Sequence, residues 1–116
     1  MIVERAIFAI KPGHAEEFTR AFAQAARLIR GAKGCRKADM HRGIENPDSF
    51  ILLAVWDTLE DHMVGFRESP EFTEWRALLG PHFAGPPAVE HYGPAVQALP
   101  VADQAPRGDR GQPEGQ

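Results

Sequence analysis

Residues 50–56 constrain the fold of this chain more than any other segment. They read FILLAVW, an unbroken apolar run that follows the turn-forming residues 45–48 (ENPD). A short apolar run of this kind predicts a buried β-strand. Because successive side chains of a strand point to opposite faces, residues 50, 52, 54 and 56 face one side and residues 51, 53 and 55 the other. Both faces of this central strand therefore need apolar cover.

The flanking patterns predict three further strands and two helical regions. Apolar residues recur every three to four positions from residue 14 to residue 30, which indicates a helix that ends before Gly31 and Gly34. After the central strand, Ser69 and Pro70 resemble a helix start and divide the second helical region in two. The predicted strands are residues 2–10, 35–44, 50–56 and 88–92, the last able to extend to Val96, and the predicted helices are residues 14–30, 59–67 and 70–79.

The resulting element order is βαββαβ. With right-handed crossovers, this order places the helices on one face of a four-stranded antiparallel sheet, which is the ferredoxin-like arrangement of the α+β class. We assign residues 1–99 to this domain. Residues 100–116 are rich in Pro and Gly and contain no aromatic residue, so they predict a disordered tail.

The helices can cover only one face of this sheet. Ile7 or Phe8 of the first strand adds to the apolar side chains that the other face presents. A monomer would expose a larger apolar patch than soluble monomers usually carry. A second copy of the chain would cover this patch, and twofold dimers are the commonest protein assemblies. We therefore predict a homodimer that forms through the open sheet face.

Charge and composition exclude several classes of protein. The chain has 13 Lys and Arg against 16 Asp and Glu, and its basic residues are scattered, which argues against nucleic acid as a partner. No apolar stretch approaches the roughly 20 residues that span a bilayer, and Glu4 and Arg5 interrupt the position of a signal peptide, so neither a membrane nor export is expected. The single Cys excludes an intrachain disulfide and fits a cytoplasmic location.

Several features together resemble the antibiotic biosynthesis monooxygenase (ABM) family. They are a strand that ends in Trp56, an acidic capped turn, His62 on the following helix, a Ser-Pro-Glu-Phe break at residues 69–72 and a closing V-E-H-Y strand at residues 89–92. The resemblance covers about residues 1–97. It implies a dimeric α+β barrel of two ferredoxin-like subunits, each with a pocket between sheet and helices for a small aromatic or apolar ligand.

The activities of the family set the functional expectation. Members include oxygenases that act on anthrone-like or quinol-like polyphenols without metal or flavin, and haem-degrading enzymes, while many others have no known activity. Haem-degrading members have an Asn on the first strand and a Trp and a His in the last helical region. This chain has no Asn on its first strand, and Phe66 and a residue near Arg76 take the helical positions. The resemblance therefore does not extend to haem degradation. The first-strand Asn is also one of the groups expected to hold an anthrone substrate, so its absence weakens the resemblance to anthrone oxygenases.

His62 is the candidate catalytic base. Cofactor-free oxygenation needs a base in an apolar pocket, because a phenol or enol must lose a proton before it can pass an electron to O2. An imidazole, with an ordinary pKa near 6.5, suits this role. The alternative is a partly exposed helix histidine beside Asp61 that has no catalytic role.

Four further residues are candidates for contact with the substrate: Trp56, Phe66, His91 and Tyr92. Each also has a structural alternative, since Trp56 and Phe66 can fill the core and Tyr92 can pack at the dimer interface. His91 and Tyr92 are neighbours on a predicted strand, so at most one of them can face a given pocket.

No cofactor and no metal is predicted. The five His include no pair spaced three or four residues apart on one helix and no H-E-x-x-H motif, although a site assembled from residues distant in sequence stays open. The leading hypothesis is a cofactor-independent monooxygenase that acts on a phenolic, quinol or polyketide-like substrate. The alternative is a non-catalytic dimeric module that binds a small ligand or serves a stress response.

Overall fold

The computed structural model describes residues 1–96. The elements, in chain order, are β1 (Ile2–Ala9), α1 (Ala15–Arg30), β2 (Cys35–Arg42), β3 (Ser49–Trp56), a π-helix (Asp61–Phe66), α2 (Pro70–Leu79), a 3₁₀ turn (Gly80–His82) and β4 (Ala88–Tyr92). The predicted βαββαβ order is confirmed. The predicted domain end at residue 99 and the predicted tail lie outside the described residues.

The four strands form one antiparallel sheet in the order β2-β3-β1-β4. The apolar strands β1 and β3 pair at its centre, from Ile2 opposite Trp56 to Ala9 opposite Ser49. The edge strands β2 and β4 carry charged side chains, which discourage further strand pairing. This is the predicted ferredoxin-like α+β arrangement.

One face of the sheet, here called the covered face, packs against the helices. β3 turns alternate side chains to this face, and all four are buried: Phe50, Leu52, Ala54 and Trp56. Helix α1 contributes the apolar stripe that its periodicity predicts, with Ala15, Phe18, Ala25, Ala26, Leu28 and Ile29 buried. The main hydrophobic core of the described chain therefore lies on the covered face.

Ser69 and Pro70 set the predicted break between the two helical segments. Ser69 Oγ accepts a hydrogen bond from the backbone N–H of Phe72 at 3.2 Å, and Pro70 occupies the start of α2. The segment before the break is a π-helix rather than the expected α-helix. π-Helical turns frequently occur at functional sites, and this one buries the side chains of His62 and Phe66.

Three strands end earlier than the sequence predicts, and β1 does so by one residue, at Ala9. β2 ends at Arg42, because the backbone N–H of Gly43 donates to the carbonyl of Ser49 at 2.7 Å and closes the turn. Ile44, expected to share a face with Ala38, is consequently 89% exposed outside the sheet. β4 ends at Tyr92 and does not extend to Val96.

The opposite face of the sheet, here called the open face, is also apolar at its centre. It carries Val3, Arg5 and Ile7 from β1 and Ile51, Leu53 and Val55 from β3. These side chains are half-buried or exposed, and Leu53 is 39% exposed. Of the two β1 residues expected here, Ile7 lies on the open face, whereas Phe8 is buried in the core.

Candidate functional site

A cleft of about 1040 Å³ lies between the covered face of the sheet and helix α2. Its lining mixes apolar and polar side chains. The larger apolar ones are Phe8, Ile29, Leu52, Phe66, Phe72, Trp75, Phe83 and Val89, and the polar ones are Glu4, His62, Arg67, Thr73 and Arg76. Small-molecule sites typically have volumes of roughly 300–1,000 Å³. The cleft can therefore accommodate a polycyclic aromatic molecule.

Glu4 places a carboxyl group in this cleft. The alternation of β1 turns the side chain of Glu4 to the covered face, where the residue is only 3% exposed. Its Oε1 accepts a hydrogen bond from Nε1 of Trp56 at 2.9 Å. Burial raises the pKa of Glu4, while the Trp56 hydrogen bond and the positive charge of Arg67 oppose that rise. Buried carboxyl groups with raised pKa values are typical of functional sites.

His62 lies directly beside this carboxyl group. The π-helix positions its ring on Trp56, with the ring centroids 4.9 Å apart. Nε2 of His62 is 3.4 Å from Oε1 of Glu4, and Nδ1 is 2.8 Å from Nε2 of His91. Burial, and then the charges of His91 and Arg67, lower the pKa of His62 to about 4. His62 is therefore a neutral imidazole at pH 7, and its contact with Glu4 is not an ion pair between two full charges.

Positive charge surrounds the rim of the cleft. Arg67 directly follows the π-helix, Arg76 lies on α2, and both exposed residues line the cleft. His91 is half-buried on β4 opposite Glu4, and burial together with the Arg67 charge lowers its pKa. The cleft thus combines the His62 imidazole, one buried carboxyl group and a cationic rim. Such an arrangement can accept a proton and hold an anion.

Three of the five predicted site residues come together here. His62 and Phe66 line the cleft, and His91 is hydrogen-bonded to His62. Trp56, expected at the mouth of the pocket, is instead completely buried beneath His62 and acts through its hydrogen bond to Glu4. The reason is that the last covered-face position of β3 lies under the π-helix.

Tyr92, predicted either to contact the substrate or to pack at the dimer interface, lies away from the cleft. It pairs with Val3 on the open face and is 49% exposed. Its hydroxyl donates a hydrogen bond to Glu90 at 2.6 Å. Because neighbouring residues of a strand face opposite sides, the contact of His91 with His62 turns Tyr92 to the open face.

Sequence reasoning missed three residues of the site: Glu4, Arg67 and Arg76. In the sequence, Glu4 is only a charge that interrupts an apolar run. The sequence nevertheless contains a signal for Glu4. Alternate residues of a strand share a face, so Glu4 faces the same side of the sheet as the core residues Ala6 and Phe8. Arg67 has no such signal, since its position depends on where the π-helix ends.

Fold and site together define a ferredoxin-like α+β domain with a cleft between the sheet and helix α2. A family model described as antibiotic biosynthesis monooxygenase matches residues 1–78. This chain belongs to the antibiotic biosynthesis monooxygenase family, as the sequence resemblance predicts.

Known relatives extend the similarity over most of the chain. The uncharacterized protein YczJ of Bacillus subtilis (strain 168) is 44% identical over 92 residues, which cover 79% of this chain and 97% of the relative. A crystal structure from Bordetella bronchiseptica, provisionally named an antibiotic biosynthesis monooxygenase, is 41% identical with a TM-score of 0.79 and covers 82% of this chain and 97% of its own. The structure of Rv0793 from Mycobacterium tuberculosis is 20% identical with a TM-score of 0.70, covers 84% and 98% of the two chains, and shows the fold alone.

Proposed function

We propose that this protein is a cofactor-independent monooxygenase that acts on a phenolic, quinol or polyketide-like substrate, with His62 as the catalytic base. One observation carries the proposal: a neutral imidazole lines a cleft with aromatic walls, beside a buried carboxyl group and a cationic rim. Family membership supports the same reaction class.

The lining of the cleft favours a planar aromatic substrate. Phe66 makes edge contacts with Phe72 and Trp75, with centroid distances of 5.4 Å and 5.8 Å, and Phe83 stacks on Phe8 at 5.3 Å. Aromatic walls of this kind pack against ring systems through offset or edge contacts. Arg67 at the rim supplies the charge that holds a phenolate oxygen.

The hydrogen-bond network around His62 provides a route for the proton. In the tautomer with hydrogen on Nδ1, the ring donates to His91 and Nε2 is the basic atom. The pKa of about 4 is far below the pKa near 10 of a simple phenol, so both products of the transfer need stabilisation. Arg67 stabilises the substrate anion, and the Glu4 carboxylate, 3.4 Å from Nε2, stabilises the imidazolium. The half-buried His91 then connects His62 to solvent.

The reaction needs no reductant other than the substrate. Proton transfer to His62 leaves a substrate anion that gives one electron to O2, and the radical pair combines to form a C–O bond. The peroxide takes the proton back from His62. Cleavage of the O–O bond, with loss of the remaining C–H or O–H proton, gives a carbonyl product and water. The substrate loses four electrons, O2 gains four, and one oxygen atom enters each product.

A non-catalytic binding module is the second candidate. The observation that favours it is that His62 is only 3% exposed and stacks on Trp56, as a histidine that holds helix and sheet together would. The same cleft would then hold a small apolar ligand without oxidising it.

O2 uptake with a panel of anthrones and hydroquinones separates the two candidates. The expected result is one O2 consumed per carbonyl product, and a rate about 10²–10⁴-fold lower in His62→Gln. His41→Gln is the matched control, because His41 is an exposed histidine on β2 outside the cleft. Undiminished O2 uptake in His62→Gln would refute the role of His62 as the catalytic base. Ligand binding without any O2 uptake would favour the binding module.

The proposal includes a homodimer formed through the open face. Its centre, at Ile7, Ile51 and Leu53, is apolar, while Arg5 bonds Glu90 at 2.6 Å near the β4 edge. An apolar centre with a polar rim is the usual composition of an interface. Sedimentation at micromolar concentration should give a species of twice the 12.8 kDa chain mass, and a single monomeric species would refute the dimer.

A cytoplasmic location is part of the same proposal. No helix within residues 1–96 has both the length and the apolar character required to cross a bilayer. The single cysteine, Cys35, is half-buried, and burial raises the pKa of its thiol.

A further inference from the structure

A second cluster of polar side chains lies where the start of α1 meets the 3₁₀ turn. His14 directly precedes α1, Glu17 is in its first turn, and His82 ends the 3₁₀ turn. Nδ1 of His14 is 3.1 Å from Nδ1 of His82 and 3.7 Å from Oε1 of Glu17. One ligand atom from each of the three residues lies within 4.8 Å of the others.

We infer that His14, Glu17 and His82 bind a divalent transition-metal ion, for which Zn²⁺ is the probe. Tetrahedral Zn²⁺ with ligands at about 2.0–2.1 Å places neighbouring ligand atoms about 3.3 Å apart. The two measured separations, 3.1 Å and 3.7 Å, lie within a few tenths of an ångström of that value. The side chain of Glu17 is 59% exposed and can turn toward His82 to close the third side. Two imidazoles and one carboxylate leave a fourth position for water.

Backbone hydrogen bonds hold the two histidines in place before any metal binds. The N–H of Lys11 donates to the carbonyl of His82 at 2.9 Å, and the N–H of His14 donates to the carbonyl of Lys11 at 3.0 Å. Both histidines are thus attached to the same residue. The two histidines lose little conformational entropy on binding, because their Nδ1 atoms already lie 3.1 Å apart in the folded chain.

Local charge limits the affinity without preventing binding. The N-terminal end of α1 carries a partial positive charge that disfavours a cation. Two carboxylates in the first turn, Glu16 and Glu17, oppose it. Glu16 is bonded to Arg42 at 3.0 Å, so Glu17 is the carboxylate that faces His14.

The proposed site is separate from the Glu4–His62 pair but adjoins the cleft. Gly80 and Phe83, on either side of the Pro81–His82 dipeptide, both line the cleft. A metal bound at His82 would fix this turn against α1. Such an ion would therefore stiffen one end of the substrate cleft.

Calorimetric titration of the untagged full-length protein with Zn²⁺ tests the inference. We expect the wild-type protein to show one saturable site. His14→Ala and His82→Ala should each lower the Zn²⁺ affinity at least about tenfold, which is the loss that a change of an outer-shell residue already causes. Glu17→Gln should also weaken binding. Co²⁺ should give visible absorption bands without the thiolate charge-transfer band that Cys35 would add.

Matched controls make the result decisive. His41→Ala removes an exposed histidine elsewhere, and Glu16→Gln removes the neighbouring carboxylate. His91→Gln disrupts the other close histidine pair, in which Nδ1 of His62 lies 2.8 Å from Nε2 of His91. All three variants should keep Zn²⁺ binding. Circular dichroism checks that each variant is folded. The inference is overturned if Zn²⁺ shows no saturable binding, if His14→Ala and His82→Ala bind it as wild type does, or if His91→Gln abolishes binding.

Discussion

The two faces of the central strand pair are built from similar residues but have opposite surroundings. Leu52 and Leu53 are neighbours on β3, yet Leu52 is 1% exposed on the covered face and Leu53 is 39% exposed on the open face. The difference does not come from the residue type. It comes from the connections, because both helices cross the same side of the sheet.

The polar side chains of the two faces also differ in their surroundings. The covered face carries the buried Glu4 beside His62, where low exposure shifts the pKa of each group. The open face carries Arg5, Glu90 and Tyr92 as an exposed hydrogen-bonded group. Apolar cover therefore shifts the pKa of polar groups on one face, while the other face stays partly exposed, where the proposed dimer would form.

Truncation of the two neighbouring leucines should give the largest contrast. Leu52→Ala should lower the free energy of unfolding by about 3 kcal/mol, because it leaves a cavity in the core. Leu53→Ala should cost less than about 1 kcal/mol in the monomer. Urea unfolding at several protein concentrations measures both, and only the cost of Leu53→Ala should grow with concentration, since dimer stability depends on it. If Leu52→Ala and Leu53→Ala lowered the free energy of unfolding equally at every concentration, the two faces of the sheet would not differ as described.

Acid should act on the covered face through His62. Its folded-state pKa of about 4 lies below the ordinary 6.5, so the stabilisation is present above pH 6.5 and is lost as the pH falls toward 4. Glu4 acts in the opposite sense, since a raised pKa gives stability that is lost as the pH rises. Between pH 7 and pH 5, His62→Gln should therefore lose about 2 kcal/mol less stability than wild type.

The pH experiment has a matched control in the exposed His41. Urea unfolding of His41→Gln at pH 7 and pH 5 should show the same loss as wild type. If His62→Gln and His41→Gln behaved alike, the acid sensitivity would not originate in the buried imidazole.

A charge on the open face should weaken the proposed dimer. Leu53→Asp would bury an unpaired carboxylate at the centre of the interface, and we expect at least a tenfold higher dissociation constant, which corresponds to about 1.4 kcal/mol. Sedimentation equilibrium gives the constant. Leu59→Asp is the control, because Leu59 is 49% exposed before the π-helix. A dimer that survives Leu53→Asp unchanged would place the interface elsewhere.

The smallest effect is expected for Tyr92→Phe. Because Tyr92 lies on the open face, removal of its hydroxyl should change the rate of O2 uptake less than about twofold, within the ±0.5 kcal/mol typical of surface changes. Phe66→Leu alters the cleft itself and should raise KM for an aromatic substrate. A larger effect of Tyr92→Phe than of Phe66→Leu would indicate that the open face contributes to the site.

The sequence predicts the fold well because its elements are marked locally. The FILLAVW run, the apolar stripe of α1 and the Ser69 cap each specify an element through neighbours a few residues away. The failures are also local in origin. The π-helix and the early end of β2 depend on backbone hydrogen bonds that periodicity does not reveal.

The candidate site is only partly predictable from sequence. His62 and Phe66 are singled out by the family pattern, but the partners of His62 come from β1 and β4, so Glu4 and His91 meet it only after the sheet has formed. His14 and His82 likewise lie 68 positions apart. No spacing rule can detect pairs of this kind, since their proximity is a product of topology.

The sequence by itself determined the element order, the apolar character of both faces of the sheet and the family. The tertiary structure alone decided which face the helices cover, that Glu4 is buried beside His62, that Tyr92 faces away from the cleft and that His14, Glu17 and His82 converge. The physical reason is the range of the interactions. Strand alternation and helix periodicity act over a few residues, whereas burial, and the pKa shifts that follow from it, depend on which distant segments exclude water from a side chain.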